Sequence, residues 1–199
     1  MAKKTPVKSP QSVRIIGGKW RSRRLEFIPA DGLRPTGDRI RETLFNWLAP
    51  SIEGATCLDL FAGSGALCFE ALSRGAKRCV ALENNAQVAA QLSVNQTTLG
   101  ADNLTIVSTD TRDYLSSVNC ADKYNIVFLD PPFEHGLHGE IIQALNNRRW
   151  LAANALIYAE LPVSEPSSPP HNWQLLKEKT AGNVRYCLFS YVEQTPLFE

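Results

Sequence analysis

The stretch "TCLDLFAGSGALCFEALSRGAKRCVALENN", residues 56–85, decides the fold. An apolar run ends in an acid, Asp59, and four small residues, Ala62, Gly63, Ser64 and Gly65, lead into a helical stretch over 65–74. A second apolar run, "RCVALE", then ends in another acid, Glu83. This is a strand, a tight turn, a helix and a second strand, the unit from which parallel sheets are built. The same rhythm continues downstream. Helix 85–99 leads to strand "LTIVST", a short helix near 111–118 to strand "NIVFLD", and helix 137–149 to strand "ALIYAEL". Alternation of this kind implies a parallel sheet covered on both faces, and runs such as "IVFL" and "ALIYA" suit strands buried on both sides.

Both ends of the chain depart from that rhythm. Residues 162–171, "PVSEPSSPPH", are too rich in Pro and Ser for a helix. After them "WQLLKEKTAGNVRYCLFSYV" reads as a hairpin turning at Ala181-Gly182-Asn183. Upstream, "VRIIGGKWRSRRLEF" reads as two short strands around a Gly-Gly turn, and "DRIRETLFNWLAP" as a helix capped by Asp38 and ended by Pro50. Residues 1–12 are expected to be a disordered basic tail, 13–52 a hairpin-and-helix extension, and 53–199 the α/β domain.

Composition narrows the class. The chain has 199 residues, 44% hydrophobic and 21% charged, enough for one good core. No window approaches the roughly 18 apolar residues of a membrane helix, and the N-terminus lacks an apolar signal core, so the expected location is the cytoplasm. Five cysteines, with no C-x-x-C, read as buried thiols of a reducing compartment. No Cys and His cluster has metal-ligand spacing, so no metal is expected. The net charge of +1 hides a division: residues 1–41 hold 11 Lys or Arg against 3 acids. A basic arm on an acidic body favours an anionic partner, nucleic acid by default. Arg14, Lys19, Arg21, Arg23, Arg24, Arg34 and Arg39 are its candidate phosphate contacts.

The strand ends carry the chemistry. The G-x-G-x-x-G spacing of a dinucleotide loop fails after Gly63 and Gly65, and Asp59 puts a negative charge where a pyrophosphate needs donors. A ligand with a cationic or hydroxyl-rich end fits better, and S-adenosylmethionine carries both an ammonium and a sulfonium. Glu83 lies 24 residues past Asp59, close to the offset at which an acid meets ribose hydroxyls. Asp110 ends the third strand, where it is either an acceptor for an adenine amino group or simply a helix N-cap. The fourth strand ends in Asp130-Pro131-Pro132-Phe133. Proline lacks an N–H, so Asp130 and the Pro131 carbonyl form a rigid pair of acceptors suited to the two hydrogens of an exocyclic amine. Phe133 offers a stacking face for a flipped or single-stranded base.

The segments "LDLFAGSGALCFEAL", "ALENN", "VSTD" and "FLDPPF" resemble motifs of class I S-adenosylmethionine-dependent methyltransferases that modify amino nitrogens. "RIIGGKWRSRRLEF" and "GLRPTGDRIRETLFNWL" are similar to the RsmD-type 16S ribosomal RNA guanine-N2 methyltransferases, and the likeness runs from about residue 13 to 191. The resemblance implies a Rossmann-like seven-stranded sheet whose last strand is antiparallel, and methylation of one guanine in 16S rRNA, within an assembled small-subunit particle. It assigns Asp59, Phe61, Ala62, Gly63, Ser64 and Gly65 to the methionine end of the cofactor. Glu83 and Asn84 go to the ribose, Asp110 and Thr111 to the adenine, and Asp130 to Phe133 to the target base. Arg34, Pro35 and Thr36 match a loop expected to approach both cofactor and substrate. Cys68-Phe69 departs from the smaller residues usual there, and a repacked core is expected. A monomer is the simplest assembly. DNA adenine-N6 and protein glutamine-N5 methylation, and a catalytically silent RNA-binding module, stay open as alternatives.

Overall fold

The computed structural model describes residues 11–30, 36–117, 123–132, 137–147, 150–164 and 169–193. A two-stranded antiparallel hairpin, β1 (Gln11–Arg14) and β2 (Arg24–Phe27), comes first, followed by α1 (Asp38–Leu48). The α/β body runs β3 (Thr56–Asp59), α2 (Ala66–Ser73), β4 (Arg78–Glu83), α3 (Ala86–Leu99), β5 (Leu104–Ser108), α4 (Thr111–Ser116), β6 (Tyr124–Leu129), α5 (His138–Asn147) and β7 (Leu151–Pro162). It closes with the hairpin β8 (Trp173–Ala181) and β9 (Val184–Tyr191).

Seven strands form one sheet in the order β5-β4-β3-β6-β7-β9-β8. β3 to β7 pair in parallel, and β9 inserts antiparallel between β7 and β8. The chain winds outward from β3 to β5, then returns to lay β6 on the other side of β3. That reversal is a topological switch point, where open α/β sheets leave a crevice at the carboxyl ends of their strands. The expected α/β class and antiparallel last strand are both present. The turn between β8 and β9 falls at Gly182, whose φ of 59° is left-handed and favours glycine.

The N-terminal extension differs from expectation in three details. Gln11 and Ser12, within the expected tail, belong to β1, because their backbones pair with Phe27 and Glu26. The hairpin connection is wider than a Gly-Gly turn. A 3-10 turn at Gly18–Trp20 fills it, and Ile15 and Arg23 close it with an N–H to carbonyl bond of 2.9 Å. Asp38 does not cap α1; Gly37 holds the cap position, and Asp38 is the first helical residue. Its carboxylate is taken instead by Arg14 and Arg41, each at 2.6 Å.

The extension has no separate core. Val13, Ile15, Trp20, Leu25 and Phe27 from the hairpin, and Leu44, Phe45 and Leu48 from α1, are buried together with Cys57, Phe69 and Phe128 of the body. Trp20 meets Phe69 edge-on at 6.5 Å, and Phe45 lies 6.0 Å from Phe128. Cys68 and Phe69 are both fully buried. α2 is buried along all eight residues because the sheet covers one side and the hairpin the other.

A buried carboxylate holds this arrangement together. Glu70 on α2 accepts the Ile16 and Gly17 amides of the hairpin at 2.7 and 2.8 Å, and Arg74 Nε at 2.7 Å. Arg41 of α1, also fully buried, approaches it at 3.6 Å. Ser73 receives the Trp20 amide at 2.9 Å. The fit is close: a Cβ at Gly18, where φ is 75°, would stand 1.8 Å from the Ser73 carbonyl oxygen.

Candidate active site

Each candidate acid reaches the crevice by strand register. Asp59 pairs with Phe128 across β3 and β6, and Leu129 pairs with Ala159 across β6 and β7. Asp130 and Glu160 are therefore the next matched positions along their strands. Alternation puts Asp130 on the face of Phe128, and Glu160 on the face of Tyr158. Both of those rings belong to the core beneath α1 and α2. Three acids thus converge on one side of the sheet at the switch point.

Asp59 is 2% exposed, and its Oδ2 has no hydrogen-bond partner. Burial pushes its carboxyl up to about 7, and the Glu83 charge adds to this, against the pull of the Phe61 and Cys68 amides. A buried, unsatisfied carboxylate oxygen is costly unless a donor meets it. The adjoining loop is tightly wound: the Ala62 amide donates to the Leu82 carbonyl at 2.9 Å, and the Gly65 amide to the Ala62 carbonyl at 2.7 Å. Gly65 has a φ of 77°, and a Cβ there would meet Leu92 and Phe69 at 2.7 Å. Only glycine suits that position. Ser64 is buried beside it, and Phe61 and Gly63 are half-buried.

Glu83 joins this loop to the next strand. Its two oxygens accept the Gly63 amide at 3.0 Å and the Asn85 amide at 2.8 Å. Each oxygen keeps a second lone pair for a vicinal hydroxyl, while burial holds the group above its usual range. Asn84 is exposed next to it. Asp110 is the N-cap of α4. It accepts the Arg112 amide at 2.8 Å and the Arg112 guanidinium at 3.0 Å on each oxygen. Those contacts with Arg112 hold its carboxyl below the ordinary value. The Thr111 hydroxyl is spent on the Leu60 carbonyl at 2.6 Å, tying α4 to β3. The cap reading of Asp110 is met by this geometry.

On the other side of the switch point, the Thr36 hydroxyl donates to Asp130 Oδ2 at 3.2 Å. Burial drives the Asp130 carboxyl well above its normal range, and the negative Glu160 adds to this. Pro131 is buried and Pro132 half-buried. Phe133 lies outside the described residues, as do Arg34 and Pro35. Among the basic candidates, Arg14, Lys19, Arg21, Arg23, Arg24 and Arg39 are all exposed. Arg14 pairs with Asp38, Arg23 donates to the Thr98 carbonyl at 3.3 Å, Arg24 to Ser12 at 3.0 Å, and Lys19 lies over the Trp20 ring.

One residue of the site escapes a reading of strand ends. Glu160 is 5% exposed and accepts the Tyr158 hydroxyl at 2.6 Å. The segment "IYAELP" carries an acid close to a strand's end, as four earlier strands do. That repetition was the available signal, but it lies inside an apolar run with no glycine or proline pair to mark it.

Residues 13–190 match the family described as Conserved hypothetical protein 95. The chain belongs to that family. The Conserved hypothetical protein 95 match takes in the hairpin, α1 and the sheet as far as Ser190 of β9. "Ribosomal RNA small subunit methyltransferase D" of Haemophilus influenzae is 48% identical over 179 residues, covering 89% of this chain and 93% of that one. The protein of the same name from Escherichia coli strain K12 is 49% identical over 178 residues, covering 89% of each. The solved structure of yhhF from Escherichia coli superposes with a TM-score of 0.84 at 49% identity, over 92% of this chain and 100% of that one.

Proposed function

We propose that this protein transfers a methyl group from S-adenosylmethionine to the exocyclic N2 amine of a guanine in 16S rRNA. The observation that carries the reading is the pair of acids at the switch point, the buried Asp59 at the end of β3 and the half-buried Asp130 just past β6. The orphaned Asp59 Oδ2 fits an ammonium group, and the Glu83 oxygens fit ribose hydroxyls. When bound, the cofactor would supply an electrophilic methyl on its sulfonium for the amine to accept.

The chain's own residues position and polarise. Asp59 and the Ala62–Gly65 loop hold the methionine end, and Glu83 and Asn84 the ribose. Asp110 and Thr111 fix the turn on which the adenine rests, through the cap and the bond to Leu60. Asp130 and the Pro131 carbonyl accept the two amine hydrogens and bend the nitrogen out of conjugation with its ring. The remaining work is orientation in a water-poor site. Phe133 supplies the stacking face for the base, and Thr36 steadies Asp130. The exposed Arg and Lys of the hairpin and α1, with Arg34, bind rRNA phosphates. The names of the two relatives support a small-subunit rRNA substrate. In this reading the protein acts as a cytoplasmic monomer on an assembled small-subunit particle. No helix among the described residues is long and apolar enough to cross a membrane.

The test is transfer of tritiated methyl onto small subunits from an unmethylated strain, followed by nucleoside analysis. N2-methylguanosine is the expected product. N6-methyladenosine, or no incorporation into rRNA, overturns the reading.

A further inference from the structure

Asp130 raises a difficulty for its own role. To hold an amine it must be an ionised acceptor, yet its surroundings favour the protonated acid, which is a donor. Its neighbour resolves this. Glu160 follows Ala159, the partner of Leu129, on β7 as Asp130 follows Leu129, so the two acids come side by side, and Glu160 is almost fully buried. We infer that Asp130 and Glu160 share a single proton, and that Glu160 takes it when the target amine docks, leaving Asp130 as the carboxylate acceptor. Glu160 is thus a positioning residue acting through Asp130. This rests on the proposed role of Asp130 as the amine's acceptor.

Three contacts shape the pair. The Thr36 hydroxyl donates to Asp130 Oδ2 at 3.2 Å and lies close enough to Glu160 to favour its charged form. A hydroxyl has one hydrogen and can satisfy only one of two carboxylates. With the proton on Glu160, that acid donates to the Thr36 oxygen while Thr36 donates to Asp130, and the chain closes. Tyr158 serves the other Glu160 oxygen by donating to Oε1 at 2.6 Å, and that bond survives in either state. Two carboxylates on adjacent strands that share one hydroxyl disfavour each other's ionisation.

Other groups face the pair from each packed element. Asp59 on β3 repels Asp130, and Tyr186 on β9 stands opposite Glu160 in register. Arg41 on α1 binds the Thr36 carbonyl at 3.1 Å, and His138 on α5 meets the Glu160 carbonyl at 2.8 Å. The proton balance is simple. An amine donating two hydrogens favours ionised Asp130, so the shared proton rests on Glu160. After methylation the ammonium gives a proton to Asp130, and one proton leaves to solvent with the product.

The experiment titrates the full-length chain by carbon NMR of labelled Asp and Glu carboxyls, a readout independent of turnover. In Glu160→Gln the like charge is gone, so Asp130 ionises at a pH lower by at least one unit. Tyr158→Phe, which keeps the ring but removes the donor to Glu160, shifts Asp130 the same way by less. The acid limb of kcat/KM for methyl transfer onto small subunits moves down with it, by at least one unit in Glu160→Gln. An Asp130 titration unmoved by both substitutions overturns the inference. A shifted titration in a protein that methylates no rRNA leaves the carboxyl pair standing and rejects the proposed function alone.

Discussion

Asp59 shows how one side chain ties folding to ligand. Its carboxyl sits at about 7 because it is buried, so the folded state holds a proton that the unfolded chain would release near 3.8. Stability from this group is therefore full below pH 3.8 and is lost as pH rises toward 7. The loss is on the order of 4 kcal/mol. Asp59→Asn, a neutral isostere, should remove that loss, and urea denaturation at pH 5 and pH 8 checks it. Cofactor binding should run the opposite way. An ammonium favours the ionised carboxylate, so affinity should fall by about tenfold per pH unit below 7, and a flat calorimetric profile would reject the contact. Asp130→Ala and Glu83→Ala should separate two functions. The first should abolish methyl transfer with cofactor affinity kept, and the second should weaken the cofactor's dissociation constant. The acids at Asp59, Glu83 and Asp130 were legible because each stands where an apolar run meets a turn. Glu160 was not, since alternation along β7 hides one inward acid among apolar neighbours.

Among elements, the hairpin, α1 and α2 behave as one unit because Glu70 joins all three. Removing it leaves the Ile16 and Gly17 amides without their acceptor and deprives the buried Arg41 guanidinium of one of its two carboxylates, Asp38 remaining. Glu70→Ala should cost about 3–5 kcal/mol, read as a lower denaturation midpoint with an unchanged slope. The alternating strands and helices of the body were readable from hydrophobic period. The fit of hairpin to helix was not, because it depends on Gly18 touching the Ser73 carbonyl across the fold. Asp38 shows the same limit. Its place before an apolar helical run looked like a cap, yet two arginines brought near by the hairpin claim its carboxylate. Asp110 looked like a cap and is one. Caps read from sequence alone miss partners supplied from elsewhere in the chain.

For the molecule as a whole, charge and topology set the remaining expectations. The basic hairpin lies fixed on α2, so in the proposed function rRNA bound to it would be held at a set distance from Asp130. Neutralising Arg21, Arg23 and Arg24 together should weaken RNA binding and flatten its dependence on salt by close to three phosphate contacts. An unchanged slope in a filter-binding titration would place the RNA elsewhere. The insertion of β9 between β7 and β8 has a further consequence during synthesis. As the ribosome delivers the chain, β3 to β7 can pair as they emerge, but β7 keeps a bare edge until Val184–Tyr191 has left the exit tunnel. A chain ending at residue 181 thus presents an open strand made mostly of Ala and Leu with Ile157 and Tyr158, the kind of edge that recruits other chains. Truncation at that point should yield aggregated protein on sedimentation, and the last strand made is the one that ends the molecule's exposure to its neighbours.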